Sequence, residues 1–325
     1  MHYLGYTYAG AEVVALADIS EEALKVRQAD WNVIKGYTDY KELLKDDEID
    51  VVSICTPNAF HHPATVAAAE AGKHVLCEKP ISLSLDKAQD MIDSCEANNV
   101  LLQIGHHMRS NLAAVKAKTM IDRGDLGRIT FARFRQAHDW GGAETVKDSF
   151  GKKALAGGGT LLDNGCHMFD LARYFCGEVK SVYCEMDALK FDVEVEDTSL
   201  VSLRFKSGTI GSVENAWTAT GWEEGFWLYG TKGSLEYTNR WEKPVLKHKH
   251  RSSPSVSWDG TDLSTHSFFH KDERQSNHSL HVANFLAAIR GEREVICTGK
   301  DGLEAVRLVL ASYESSQTGQ AHTLA

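Results

Sequence analysis

Several things are missing from this sequence, and each absence narrows the reading. No G-x-G-x-x-G occurs anywhere in the 325 residues. No apolar run approaches the roughly 20 residues of a membrane-spanning helix. The opening decapeptide MHYLGYTYAG has no basic segment followed by an apolar one, so it does not read as a secretory signal. Basic side chains are in deficit, 35 Lys and Arg against 45 Asp and Glu, for a formal net charge of −10. That balance argues against nucleic acid or an anionic membrane as the main partner. Cysteine is sparse and unpaired: Cys55, Cys77, Cys95, Cys166, Cys176, Cys184 and Cys297 are odd in number and form no C-x-x-C. A cysteine-built zinc site is therefore not expected. Free thiols in a reducing cytoplasm are, buried at Cys55 and Cys77, which lie in apolar runs.

What is present is the composition of a soluble globular protein, 43% hydrophobic and 25% charged. The length suggests two domains. From residue 12 to 104, short apolar runs (EVVALAD, IDVVSICTP, KHVLCE, VLLQI) alternate with helical segments, one begun by Ser20 and another by Ser84. Continuous apolar strands between helices indicate a parallel sheet covered on both faces. Beyond Gly105 the pattern changes to strands in succession at 179–189, 197–206, 209–219 and 225–231, closed by two helices near 275–290 and 300–317. Val201, Leu203 and Phe205 alternate with Ser202, Arg204 and Lys206, which is the period of an antiparallel sheet with one face on the core. Residues 240–275 read as polar and irregular. The expected organisation is an α/β domain over 1–105 and an α+β domain with a large, open, mainly antiparallel sheet over 106–325.

Asp18 ends its strand where a dinucleotide-binding sheet carries the acid for the ribose hydroxyls, and an acid there favours NAD over NADP. Counting back about 20 residues on the same rule reaches a point before Met1. The first strand and its glycine loop are thus expected to be absent from this chain, which reads as an N-terminally shortened form.

The stretch GGGTLLDNGCHMFD, 157–170, carries three glycines and then Asp163 and His167 four apart, with Asp170 continuing their face and Leu162, Cys166 and Phe169 forming an apolar stripe. On spacing alone the Asp–His pair suits either an acid/base site or a structural hydrogen bond.

Four segments in order resemble the glucose–fructose oxidoreductase/inositol dehydrogenase (Gfo/Idh/MocA) family: CTPNAFHHPATVAAAEAGKHVLCEKPIS, QIGHHMR, GGGTLLDNGCHMFD and EDTSLVSLRFKSGTIGS. The resemblance runs from about Ala11 to the C-terminus and implies a Rossmann-type domain. It implies an NAD(P)-dependent dehydrogenase acting on a secondary alcohol of a sugar, inositol or related polyol. By the same resemblance Lys79, in Glu78-Lys79-Pro80 with a cis peptide before Pro80, stands beside the substrate hydroxyl. His167 is then the general base, and Asp163 orients it. Thr56, Pro57, Asn58 and His61 belong to a cofactor loop. Glu78 and Gln103, at strand ends, line the nicotinamide side. Arg109 lies near the substrate. His138, Asp139 and Trp140 follow a strand and suit sugar recognition, as do Trp217 and Trp222. Asp197 is expected to be structural. No metal is expected. A homodimer or homotetramer is, through an open sheet face carrying Trp217, Trp227 and Tyr229. The alternatives are NAD-assisted glycoside hydrolysis on the same fold, a metal-dependent hydrolase using Asp163, His167 and a further histidine, and a cofactor-free, non-catalytic relative.

Overall fold

The computed structural model describes residues 1–139, 150–240, 243–250, 255–258 and 276–324. It opens with a helix, His2–Tyr8, followed by five short strands: β1 (Ala15–Ala17), β2 (Lys35–Tyr37), β3 (Val51–Ile54), β4 (His74–Cys77) and β5 (Leu102–Ile104). All their pairings are parallel, β1 with β2 and β3 with β4 with β5. No described strand pairs with both β1 and β3. The helices between them start where capping chemistry dictates. Ser20 Oγ accepts the Ala23 N–H and Ser84 Oγ the Lys87 N–H, opening the helices Glu21–Trp31 and Leu85–Ala97. Val75, Leu76 and Cys77 are fully buried, as a central strand covered on both faces requires. β2 was not expected: its three residues, Lys-Gly-Tyr, are too few and too polar to show a period. Cys55 is exposed, not buried, because β3 ends one residue before it.

Among the described residues the second sheet has nine strands, in the order β13-β12-β11-β10-β6-β9-β8-β7-β14. They are β6 (Ile129–His138), β7 (Val179–Asp187), β8 (Thr198–Phe205), β9 (Ile210–Ala216), β10 (Trp222–Gly230), β11 (Gly233–Arg240), β12 (Lys243–His250), β13 (Val256–Trp258) and β14 (His322–Thr323). Every pairing is antiparallel except β6 with β9. Strands β12 and β13 fall in the region expected to be irregular, and Leu246 there is fully buried.

Period-two alternation gives this sheet two unlike faces. Ala132, Phe134, Val201, Leu203, Val213, Phe226 and Leu228 point to the core, against the helices Leu112–Asp122 and Cys166–Cys176. On the other face Phe131 lies opposite both Tyr229 and Ile210, and all three are exposed. Arg133 grips Glu214 there with two bonds of 2.7 Å and covers the Trp227 ring at 4.7 Å. Trp217, expected on this open face, is instead completely buried, beside Phe191 and Val195.

The two C-terminal helices, Asn277–Ile289 and Gly299–Thr318, reach back across the expected boundary at Gly105. Val282, Phe285 and Leu286 join Leu76 and Tyr6 in one apolar cluster, and Leu303 and Val306 join Ile81 and Ile104 in another. Leu308, Val309 and Ala311 of the same last helix belong to the core beneath the nine-stranded sheet.

Candidate active site

Lys79 follows β4 at its carboxyl end, and the Lys79–Pro80 peptide is cis. Its Nζ donates to Asp163 Oδ1 at 2.6 Å and to the Asp163 carbonyl at 3.0 Å. Burial is the largest single influence and works against the ammonium, but the charge and hydrogen bond of Asp163, together with Glu78 and Cys166, outweigh it and hold the Lys79 pKa above its usual value. The second carboxylate oxygen, Asp163 Oδ2, accepts the indole N–H of Trp217 at 3.2 Å. Trp217 thus bonds the carboxylate that holds Lys79, a contact its sequence position did not reveal.

Asp163 sits in a π-helical turn, Leu161–Gly165, that runs directly into the helix Cys166–Cys176. π turns of this kind are frequent at functional sites. The glycines before it are shaped by the protein's own chain. A Cβ at Gly159 would stand 1.8 Å from the Glu196 carbonyl oxygen, and one at Gly158 would stand 1.9 Å from the Tyr313 hydroxyl. Glu196 reaches back to accept the N–H groups of Gly159 and Leu161, and Tyr313 donates to the same carboxylate. The glycines let Glu196 brace the turn that presents Asp163.

His167, four residues on, is buried and makes no bond to Asp163; its Nδ1 lies 3.4 Å from His106 Nδ1. The His107 ring meets it edge-on at 4.8 Å, and His278 stacks on His107 at 3.6 Å. Burial, then the Lys79 charge, then His107 and His106 push its pKa well below the ordinary imidazole range, so the ring is neutral at physiological pH. Asp163 therefore does not orient His167 by a hydrogen bond: its oxygens are taken by Lys79 and Trp217.

The remaining expected residues divide. Asp18 stands exposed just past β1, its Oδ1 accepting, among the described residues, the Ser20 N–H alone. Thr56, Pro57 and Asn58 follow β3 toward a short 3-10 turn, and Asn58 Nδ2 donates to the Ala156 carbonyl at 2.8 Å, linking this loop to the glycine stretch. His61 is buried with its ring nitrogens 2.7 Å from the Pro80 carbonyl and 2.9 Å from the Thr56 carbonyl. It fastens the Thr56 loop to the Lys79–Pro80 loop, with both nitrogens engaged by backbone. Glu78 Oε1 accepts from His2 Nε2 at 2.8 Å, and a Cβ at Gly105 would stand 2.7 Å from Glu78 Oε2. His2 was not foreseen; nothing in the opening residues marks it without a view of Glu78.

Three expectations change. Gln103 is not at a strand end facing a ligand: it is mid-β5, fully buried, and donates to the His281 carbonyl at 3.0 Å. Arg109 is spent internally, its fork bonding Asp170 at 2.8 and 2.7 Å, with Asp301 and the Ile296 carbonyl taking further donors. That leaves a buried structural tie in place of a substrate contact. Asp139 pairs at the surface with Lys190. His138 is buried, donates to Asn164 Oδ1 at 3.0 Å and stacks on Trp222 at 4.5 Å, next to the turn that carries Asp163. Trp140 lies outside the described residues. Asp197 accepts the N–H groups of Leu189, Lys190 and Phe191, a structural role as expected.

The arrangement joins a cationic ammonium, a carboxylate that fixes it, and a neutral imidazole in one buried region at the carboxyl end of β4. A buried cation can stabilise a developing alkoxide, and a neutral imidazole can take up a proton. Among the described residues no group of three or more His, Cys, Asp or Glu is placed to hold a metal, and no helix is long and apolar enough to cross a membrane.

Comparison with known proteins gives a consistent picture. A family model described as "Oxidoreductase family, NAD-binding Rossmann fold" matches residues 2–106, and one described as "GFO/IDH/MocA C-terminal domain" matches 114–236. The chain is 31% identical to a 1,5-anhydro-D-fructose reductase of Ensifer adhaerens, over 96% of this chain and 91% of the relative. It is 28% identical to a myo-inositol 2-dehydrogenase of Thermotoga maritima, over 94% of this chain and 89% of that one. In fold it resembles a levoglucosan dehydrogenase solved with NADH and levoglucosan, with a TM-score of 0.90, 24% identity, and coverage of 100% of this chain and 95% of that one.

Proposed function

The chain belongs to the GFO/IDH/MocA oxidoreductases with an NAD-binding Rossmann fold, and from that premise we propose that it oxidises a secondary alcohol of a sugar, inositol or related polyol, or reduces the matching carbonyl. The observation that carries the site assignment is the 2.6 Å ion pair between Lys79 and Asp163, with the buried, neutral His167 one turn along. In this reading Lys79 donates a hydrogen bond to the substrate oxygen and stabilises its negative charge as the hydroxyl proton leaves. His167 Nε2 accepts that proton. Asp163 keeps the ammonium charged and aimed. His138, anchored by Asn164 and Trp222, lines the polyol pocket.

NAD, when bound, accepts the hydride. Asp18 suits the ribose hydroxyls, because its carboxylate is exposed and, among the described residues, holds the Ser20 N–H alone. The Thr56–Asn58 loop and Glu78 border the same edge of the sheets. We further propose that the open face with Phe131, Tyr229 and Ile210 joins subunits into a dimer or tetramer, since a contiguous apolar patch on a soluble protein marks an interface.

The test is a screen of inositols, free sugars and glycosides with NAD, read at the NADH absorbance band, with His167→Ala alongside. Turnover that is lost in His167→Ala with NAD affinity nearly unchanged supports the assignment. Turnover that survives sinks it.

A further inference from the structure

We propose that His106 sets the tautomer of His167, the role that sequence spacing gives to Asp163. The proposal rests on the reading of His167 as the base. Both oxygens of Asp163 are occupied, by Lys79 at 2.6 Å and by Trp217 at 3.2 Å. Among the described residues the one hydrogen-bonding contact of the His167 ring is His106 Nδ1, 3.4 Å from its own Nδ1, and both rings are buried. Besides His106, the groups whose charge acts most on His167 are Lys79, His107 and His278, which bring positive charge or none.

Two imidazole nitrogens that face each other share a single proton. If it belongs to His106, the His167 proton sits on Nε2, and Nε2 cannot accept from an alcohol. If it belongs to His167, Nδ1–H donates to His106 Nδ1 and His167 Nε2 is a free lone pair. Only the second arrangement serves as a base. When Nε2 then takes the hydroxyl proton, the imidazolium keeps Nδ1–H on His106, so the new charge is formed with a hydrogen-bond acceptor already in place. In this state His106 carries its own proton on Nε2, a buried atom with no hydrogen-bond partner among the described residues. That cost is borne on the positioning ring, not on the reacting one. His106 is therefore a positioning residue, acting through His167.

The experiment is nitrogen-15 NMR of the full chain labelled at histidine, in wild type, His106→Asn and His106→Phe. Asn keeps an acceptor oxygen where Nδ1 stood; Phe keeps the ring volume and removes both nitrogens. Wild type and the Asn variant should show His167 protonated on Nδ1. The Phe variant should shift it to Nε2, the tautomer a free imidazole side chain favours. Turnover in the Phe variant should fall by about a hundredfold, at unchanged KM for NAD, and the Asn variant should restore most of it. His167 found as Nε2–H in wild type, or an unchanged tautomer in the Phe variant, overturns the proposal. Should the Phe variant not fold, the wild-type spectrum alone still decides. Turnover surviving in His167→Ala would instead remove the base reading, a failure the spectra keep separate.

Discussion

Lys79 and Asp163, 84 positions apart in sequence, are joined by a 2.6 Å ion pair that ties the end of β4 to the π-helical turn. The pair decides the charge of Lys79, because burial alone would favour the neutral amine. Asp163→Asn should therefore lower the Lys79 pKa, and the high-pH limb of the rate profile should move to lower pH. Turnover at neutral pH should fall by about 10²-fold or more. A pH–rate profile with an unmoved alkaline limb would separate Lys79 from the reaction.

The Arg109–Asp170 fork makes a different prediction, about stability. Both side chains are buried, so removing one strands the other. Arg109→Ala should cost about 3–5 kcal/mol in urea denaturation, whereas Arg109→Met combined with Asp170→Leu should cost less than the single change.

Glu224 is buried beside Gln136 and Trp222, and burial raises its pKa to about 7. The folded form then holds a proton that the unfolded chain releases near pH 4.5. Its contribution to stability is complete below that pH and is lost as pH rises through about 7. Melting curves of Glu224→Gln should fall less between pH 5 and 7.5 than those of wild type. Parallel curves would deny the shift.

Of the seven cysteines only Cys55 is exposed. An aromatic disulfide reagent should modify one thiol fastest in the folded protein, and the five buried ones only on unfolding. Peptide mapping should find the fast label on Cys55.

Legibility in sequence followed the range of the interaction. The alternation in β8 and the caps at Ser20 and Ser84 are local, and they fold as written. β12 escaped notice because it is rich in Lys and His, and among its described side chains Leu246 alone lies deep in the core. In the site, the four-residue spacing of Asp163 and His167 was visible, but their actual partners, Lys79 and His106, are 84 and 61 positions away. Arg109 and Gln103 misled for the same reason. Each has a polar side chain at a plausible place, and each is consumed by a partner, Asp170 or the His281 carbonyl, that no local pattern announces. Trp217 looked like a surface aromatic because its partner carboxylate lies 54 residues earlier.

The 20-residue helix Gly299–Thr318 has Leu303 and Val306 in one core and Leu308, Val309 and Ala311 in the other. Neither core can melt without stripping one half of that rod of its partners. A helix deprived of tertiary contacts along half its length is marginal in water. The protein should accordingly unfold in a single calorimetric transition, with both sheets lost together.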